Sequence, residues 1–137
     1  FSKFGDKLPF SLITKVIQLI QEWYEQYAKE VPLSMSRFFQ SCVHEIGHSI
    51  HLMFDFLYQV LCGQPSGNSL TVIINSLVGD LLIRAAWLAI TNGTIYCSMF
   101  QFHKNVRKVT YGDDVIMSVG DDVKDLFNGL SISDYFG

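Results

Sequence analysis

Lys108-Val109-Thr110-Tyr111-Gly112-Asp113-Asp114-Val115-Ile116-Met117-Ser118 carries more structural information than any other segment of this chain. Two runs rich in β-branched and aromatic residues, 108–111 and 115–118, flank Gly112-Asp113-Asp114, and this pattern predicts a β-hairpin with acidic residues at its tip. Gly112 tolerates turn dihedrals that a side chain would resist, and the flanking strands Val109 to Tyr111 and Val115 to Met117 hold the tip rigid as a mount for carboxylates. Neighbouring residues near a strand end point apart, so Asp113 is expected to lead in binding a metal ion and Asp114 to follow. A second copy, Gly120-Asp121-Asp122, has no β-rich run after it and leads into Val123-Lys124-Asp125-Leu126. It reads as a structural, capped helix start, with Lys124 plain surface.

Helical patterns lie upstream of the hairpin. Pro9 followed by Ile13, Val16, Ile17, Ile20, Tyr24 and Tyr27 predicts an amphipathic helix to about Lys29. A second helix is expected after Ser34 or Ser36, with Phe38, Phe39, Cys42, Val43, Ile46, Ile50, Met53, Phe54 and Leu57 as its apolar stripe. Gly63-Gln64-Pro65-Ser66-Gly67-Asn68 is a loop, because it stacks residues that favour turn geometry. A third helix covers roughly Leu70 to Thr91 and ends at Asn92-Gly93. Its apolar run approaches the length of a membrane span, but Asn75, Asp80 and Arg84 interrupt it, so a buried helix and no transmembrane segment are expected. Short helical turns follow the hairpin through Leu126 and Tyr135.

The 137 residues are 49% hydrophobic and 17% charged, with eleven Phe, six Tyr and two Trp, which excludes disorder and suits one globular unit. Ten Lys+Arg against thirteen Asp+Glu give a net charge of −3, so nucleic acid is not wrapped by bulk charge alone. Cys42, Cys62 and Cys97 are odd in number and widely spaced, which indicates neither a disulfide framework nor a cysteine zinc site and fits a reducing compartment. The chain opens mid-pattern without a signal peptide or an initiator Met. It reads as a piece of something longer.

Two constellations suggest chemistry. His44-Glu45-Ile46-Gly47-His48 matches the H-E-x-x-H pattern, in which two imidazoles one helical turn apart bind zinc and the glutamate is general base. The metzincin extension fails at His51 and Phe54, and no glutamate follows Glu45 to serve as a third ligand. A zinc metallopeptidase is therefore the alternative reading, and a solvated polar helix face is the plain one. The second constellation joins Asp113 and Asp114 to Ser66-Gly67, Thr71 and Asn75. Phosphoryl transfer onto a growing strand needs carboxylates that hold divalent ions. Thr71 and Asn75 share a helix face just beyond a loop with free backbone N–H groups, and an amide such as Asn75 both donates to and accepts from a sugar hydroxyl. A third reading is a helical interaction module with fortuitous motifs.

Ser66-Gly67-Asn68-Ser69-Leu70-Thr71-Val72-Ile73-Ile74-Asn75-Ser76 resembles motif B of viral RNA-directed RNA polymerases, and Thr110-Tyr111-Gly112-Asp113-Asp114-Val115-Ile116 resembles their motif C. Order and spacing fit. The likeness leans toward the picorna-like viruses of arthropods, dicistroviruses and iflaviruses, through Cys62-Gly63-Gln64-Pro65-Ser66-Gly67-Asn68 and the lysine-led hairpin from Lys108. Phe1-Ser2-Lys3-Phe4-Gly5-Asp6 resembles the rest of motif A, whose first metal-binding aspartate would immediately precede Phe1.

The resemblance implies an α+β fold: a partial polymerase palm over residues 1–137, with a small antiparallel sheet backed by helices, related to the RNA-recognition fold, and without fingers and thumb. It implies RNA-templated synthesis from ribonucleoside triphosphates onto a primer 3′ hydroxyl, with Mg2+ or Mn2+ held by Asp113 and Asp114. Ser66, Gly67, Thr71 and Asn75 would shape the nucleotide and template pocket, with Asp6 at the ribose. Partners would be RNA template and primer, the triphosphates and the rest of the polymerase chain, in the host cytoplasm at viral replication complexes. The piece alone should be inactive. Lys104, Arg107 and Lys108 lie where they could steady template or primer phosphates, although plain surface charge is the favoured reading for Lys108.

Overall fold

The computed structural model describes residues 8–30, 32–60, 62–63 and 67–137, so Asp6 and Ser66 lie outside the described residues. Helix α1 (Phe10–Tyr27) starts directly after Pro9, whose carbonyl accepts from the amides of Leu12 and Ile13. Its buried stripe is Ile13, Val16 and Ile17. Helix α2 (Leu33–Gly47) starts after Pro32 and packs along α1. Both helices use a preceding proline, which lacks an N–H the first turn would leave unpaired and whose fixed φ suits entry into a helix.

The sequence predicts α2 to run on to Leu57, and here the structure differs. The helix stops at Gly47, and the next residues form a separate antiparallel hairpin, β1 (Ile50–Met53) with β2 (Phe56–Gln59). Residues 50–58 are almost continuously apolar, so helical spacing is met by chance and periodicity cannot separate helix from strand. The last helical residue, Gly47, packs against the Phe10 ring of α1. A Cβ on Gly47 would sit 1.7 Å from Cε2 of the Phe10 ring, so only glycine lets α2 approach α1 this closely.

Helix α3 (Thr71–Ile90) is the hub. Its first half contributes Ile74 and Val78 to a core with Leu8, Ile13, Val16, Ile17, Phe39 and Ile46. Its second half contributes Ile83, Ala86 and Trp87 to a second core with Phe102, Val106, Val123, Phe127 and Ile132. Trp87 is fully buried, meets Phe102 and Phe127 edge to face at centroid distances of 5.6 and 5.0 Å, and donates from Nε1 to the Ser98 carbonyl at 3.1 Å. By length and composition α3 is the one helix among the described residues that suits a membrane span, yet Ile74, Val78, Ile83, Ala86 and Trp87 join two protein cores.

Helix α4 (Met99–Asn105) is capped by Ser98, whose side chain accepts from the Gln101 amide. Strands β3 (Val106–Tyr111) and β4 (Asp114–Val119) form the expected hairpin and lie on α3. Gly120-Asp121-Asp122 opens a run of turns instead of a helix: Val123 donates back to Gly120, and the Lys124 ammonium meets Asp121 at 2.9 Å. The last helix, α5 (Gly129–Phe136), begins later, behind a capping box made by Asn128 and Ser131. The architecture is α+β, with the β3–β4 sheet backed by helices as expected; the separate β1–β2 sheet is the addition.

Candidate functional site

The register pairs Tyr111 with Asp114, which leaves Gly112-Asp113 as a two-residue turn. Gly112 has φ 62° at the first turn position, the glycine position of a type II′ turn, whose twist matches that of the strands it joins. Asp113 therefore stands on the turn and Asp114 on the first residue of β4, both exposed to solvent. Along β3 alternate residues change face: Val106, Lys108 and Thr110 turn toward the protein, whereas Arg107, Val109 and Tyr111 are exposed.

Helix α3 carries the other candidates. Thr71 is its first residue and Asn75 lies one turn further on, where 7% of its surface remains exposed. Among the described residues the Asn75 Oδ1 is buried and accepts no hydrogen bond. A buried acceptor in that state costs free energy that a ligand or neighbouring group would recover. The loop before the helix is fixed by Asn68, whose side chain accepts from the Leu70 amide at 2.8 Å and whose carbonyl accepts from Thr71 at 3.0 Å. Gly67, exposed with φ 86°, precedes it.

One hydrogen bond brings hairpin and helix together. The Gly112 amide donates to Ser76 Oγ at 2.8 Å, so the residue before Asp113 touches the residue after Asn75. Further back, the Lys108 ammonium bonds Asp80 Oδ1 and the Arg84 guanidinium bonds Asp80 Oδ2. Arg84 also meets His103 Nε2 at 3.0 Å and covers the Phe102 ring at 5.2 Å. These groups line a polar cavity of about 260 Å³ with Arg107 and Thr110. Burial lowers the Lys108 pKa below the ordinary lysine value. Lys108 is thus an internal tether and not the plain surface charge expected from the sequence, because its side chain is buried against Asp80, and Arg107 donates to the carbonyls of His103 and Val106 at the end of α4. Lys104 is exposed on α4.

With this geometry in view, the comparisons with known proteins are specific. The sequence profile of viral RNA-dependent RNA polymerase matches residues 1–133. The chain belongs to that family. It is 36% identical over 137 residues to the genome polyprotein of Deformed wing virus, 99% of this chain and 5% of that one. It is 37% identical over 91 residues to the replicase polyprotein of Cricket paralysis virus, covering 65% of this chain and 5% of the polyprotein. Against the replicase polyprotein of Acute bee paralysis virus the identity is 27% over 142 residues, 99% of this chain and 7% of the relative. The likeness to picorna-like polymerases is borne out, and the chain spans about a twentieth of the first two relatives, at 5% each.

In this polymerase-family chain the zinc-like motif does not assemble. His44 and Glu45 are on α2, with side chains 74% and 82% exposed, and His48 is the residue capping its end. The two imidazoles stack on each other with centroids 5.2 Å apart, His48 also meets Phe10 edge-on, and His51 bonds Ser49 Oγ on the following strand. Among the described residues no three His, Cys, Asp or Glu side chains are grouped to hold a metal, so the peptidase alternative has no third ligand and is set aside.

Sequence reasoning overlooked Ser76 as a contact of the acidic turn. Its signal was present: Ser76, Asp80 and Arg84 recur at four-residue intervals on a largely apolar helix, which is one polar face.

Proposed function

We propose that this chain is part of the palm of an RNA-directed RNA polymerase that copies an RNA template during viral genome replication. The observation that carries the reading is the Gly112–Ser76 hydrogen bond, which joins the acidic turn to the helix bearing Asn75. Asp113 and Asp114 would hold Mg2+ or Mn2+. Two exposed carboxylates at a turn suit Mg2+, a hard cation that keeps several waters and completes its shell with substrate phosphates. When bound, such ions would acidify the attacking 3′ hydroxyl and neutralise the leaving pyrophosphate.

The chain's own residues then have distinct duties. Asn75 offers a buried, unused acceptor to a ribose hydroxyl, which is a test that a 2′-deoxy sugar cannot pass. Asp6 would share that contact, while Ser66, Gly67 and Thr71 would form the wall toward the nucleotide and template. RNA template, primer and ribonucleoside triphosphates are the partners, with fingers and thumb supplied by the rest of a longer chain at replication complexes in the host cytoplasm. This piece alone would be inactive. The test is primer extension by the full-length polymerase on an RNA template with ribonucleoside triphosphates and Mg2+. Asp113→Ala should abolish extension with an unchanged melting temperature, and retained extension would overturn the assignment.

A further inference from the structure

Asn75 and Asp113 are separated by 38 positions in sequence, yet each is next to a member of one hydrogen bond, Ser76 and Gly112. The Ser76 hydroxyl has a single proton, which it donates to the Val72 carbonyl at 2.7 Å, a back-bond that fixes its rotamer within the helix. Its lone pairs are then aimed outward, and one accepts the Gly112 N–H at 2.8 Å. Gly112 is buried at the turn, outside the paired register of β3 and β4, so this contact satisfies an amide that the ladder leaves over.

A second attachment lies four residues away on both elements, where Asp80 meets Lys108. One helical turn separates Ser76 from Asp80, roughly 6 Å, whereas four strand residues span about 13 Å. The long lysine side chain bridges the difference. Among the described residues the ion pair thus holds the hairpin nearer its root, and the Ser76 hydroxyl bonds its tip. Removing the Ser76 hydroxyl takes away the bond at the tip while the ion pair is kept.

Resting on the polymerase reading above, we propose that Ser76 is a positioning residue for sugar selection: its hydroxyl sets the separation between the Asn75 amide and the Asp113 carboxylate. A nucleotide seated through its triphosphate at the acidic turn must present its 2′ hydroxyl to Asn75 at the same moment. A shift of the turn of about 1 Å forfeits a hydrogen bond to the sugar while leaving the triphosphate seat in being. Only the ribonucleotide has that bond to lose. The ratio of kcat/KM for a ribonucleoside triphosphate to that for its 2′-deoxy counterpart should fall about tenfold, the worth of one ordinary hydrogen bond. A loss of stability without a positioning role would lower both substrates by the same factor.

The experiment measures single-nucleotide incorporation by the full-length polymerase on a primed RNA template, with each ribonucleotide and its 2′-deoxy analogue. Ser76→Ala should lower the ratio about tenfold, and Ser76→Thr, which keeps the hydroxyl, should hold it within about twofold. An unchanged ratio in Ser76→Ala, or an equally low one in Ser76→Thr, overturns the proposal. Incorporation of neither nucleotide by the unaltered polymerase defeats the polymerase reading as well. Should Ser76→Ala fail to fold, hydrogen exchange in the unaltered protein decides: the Gly112 amide should be protected, and exchange at the rate of an open turn amide overturns the tether.

Discussion

Asp80→Ala removes the carboxylate shared by Lys108 and Arg84, and the two cations are unequally hurt. The Arg84 side chain is 30% exposed and keeps His103 and the Phe102 ring, so its i,i+4 pair is worth only about 0.3–0.5 kcal/mol. The Lys108 side chain is 9% exposed and loses the partner of a buried ammonium. Stripping one member from a fully buried pair costs about 3–5 kcal/mol, and Lys108 can relieve part of this by shedding its proton, since burial already lowers its pKa. A loss of about 2–3 kcal/mol follows. For a chain of this size that is a fall in Tm of roughly 6–15 °C. Adding Lys108→Met should restore most of it, because no unpaired charge then stays buried, and the coupling in the double-mutant cycle should be about 1–2 kcal/mol. Thermal unfolding of the four proteins by circular dichroism measures it. A single mutant within about 0.5 kcal/mol of the parent, or strictly additive losses, would refute the tether.

Other outcomes follow from the same packing. Gly112→Ala should cost about 1–2 kcal/mol by backbone strain alone, since φ is 62° and nothing lies within 4 Å of a Cβ there; a neutral effect in urea unfolding would contradict the turn assignment. Trp87→Ala should cost about 3–5 kcal/mol through the cavity left between Phe102 and Phe127, and a loss below about 1 kcal/mol would show that this core is not packed as described. Lys108 has a folded pKa lowered from 10.5, so between the lowered value and 10.5 the unfolded chain binds more protons and stability rises with pH. Lys108→Met should flatten that rise in melting curves taken across the alkaline range, and an identical slope would contradict the buried ammonium.

Much of this fold is legible in the residues. Pro9 and the stripe from Ile13 mark α1, and the β-rich runs around Gly112-Asp113 mark the hairpin to within two residues at either end. The end of α2 is not legible, because a nearly continuous apolar run satisfies two periods at once. The candidate site divides in the same way. Asp113, Asp114, Thr71 and Asn75 are visible as residue types at telling intervals, whereas the bond from Gly112 to Ser76 spans 36 positions and exists only once α3 and β3 have docked. Asp80 and Arg84 read as interruptions of a greasy helix; in the fold they are the polar face that receives the hairpin. His44 and His48 keep their helical spacing, but α2 ends at Gly47 and their rings stack on one another.

On the proposed reading the acidic turn and the start of α3 flank one cation-dependent nucleotide site. Titration of the isotopically labelled polymerase with Mn2+, a paramagnetic stand-in for Mg2+, tests it most directly. The amide signals of Gly112, Asp113 and Asp114 should broaden first, those of Asn75 and Ser76 should follow, and Asp113→Ala should abolish both effects. Broadening centred on Asp121 and Asp122, with the turn and α3 untouched, would contradict the account.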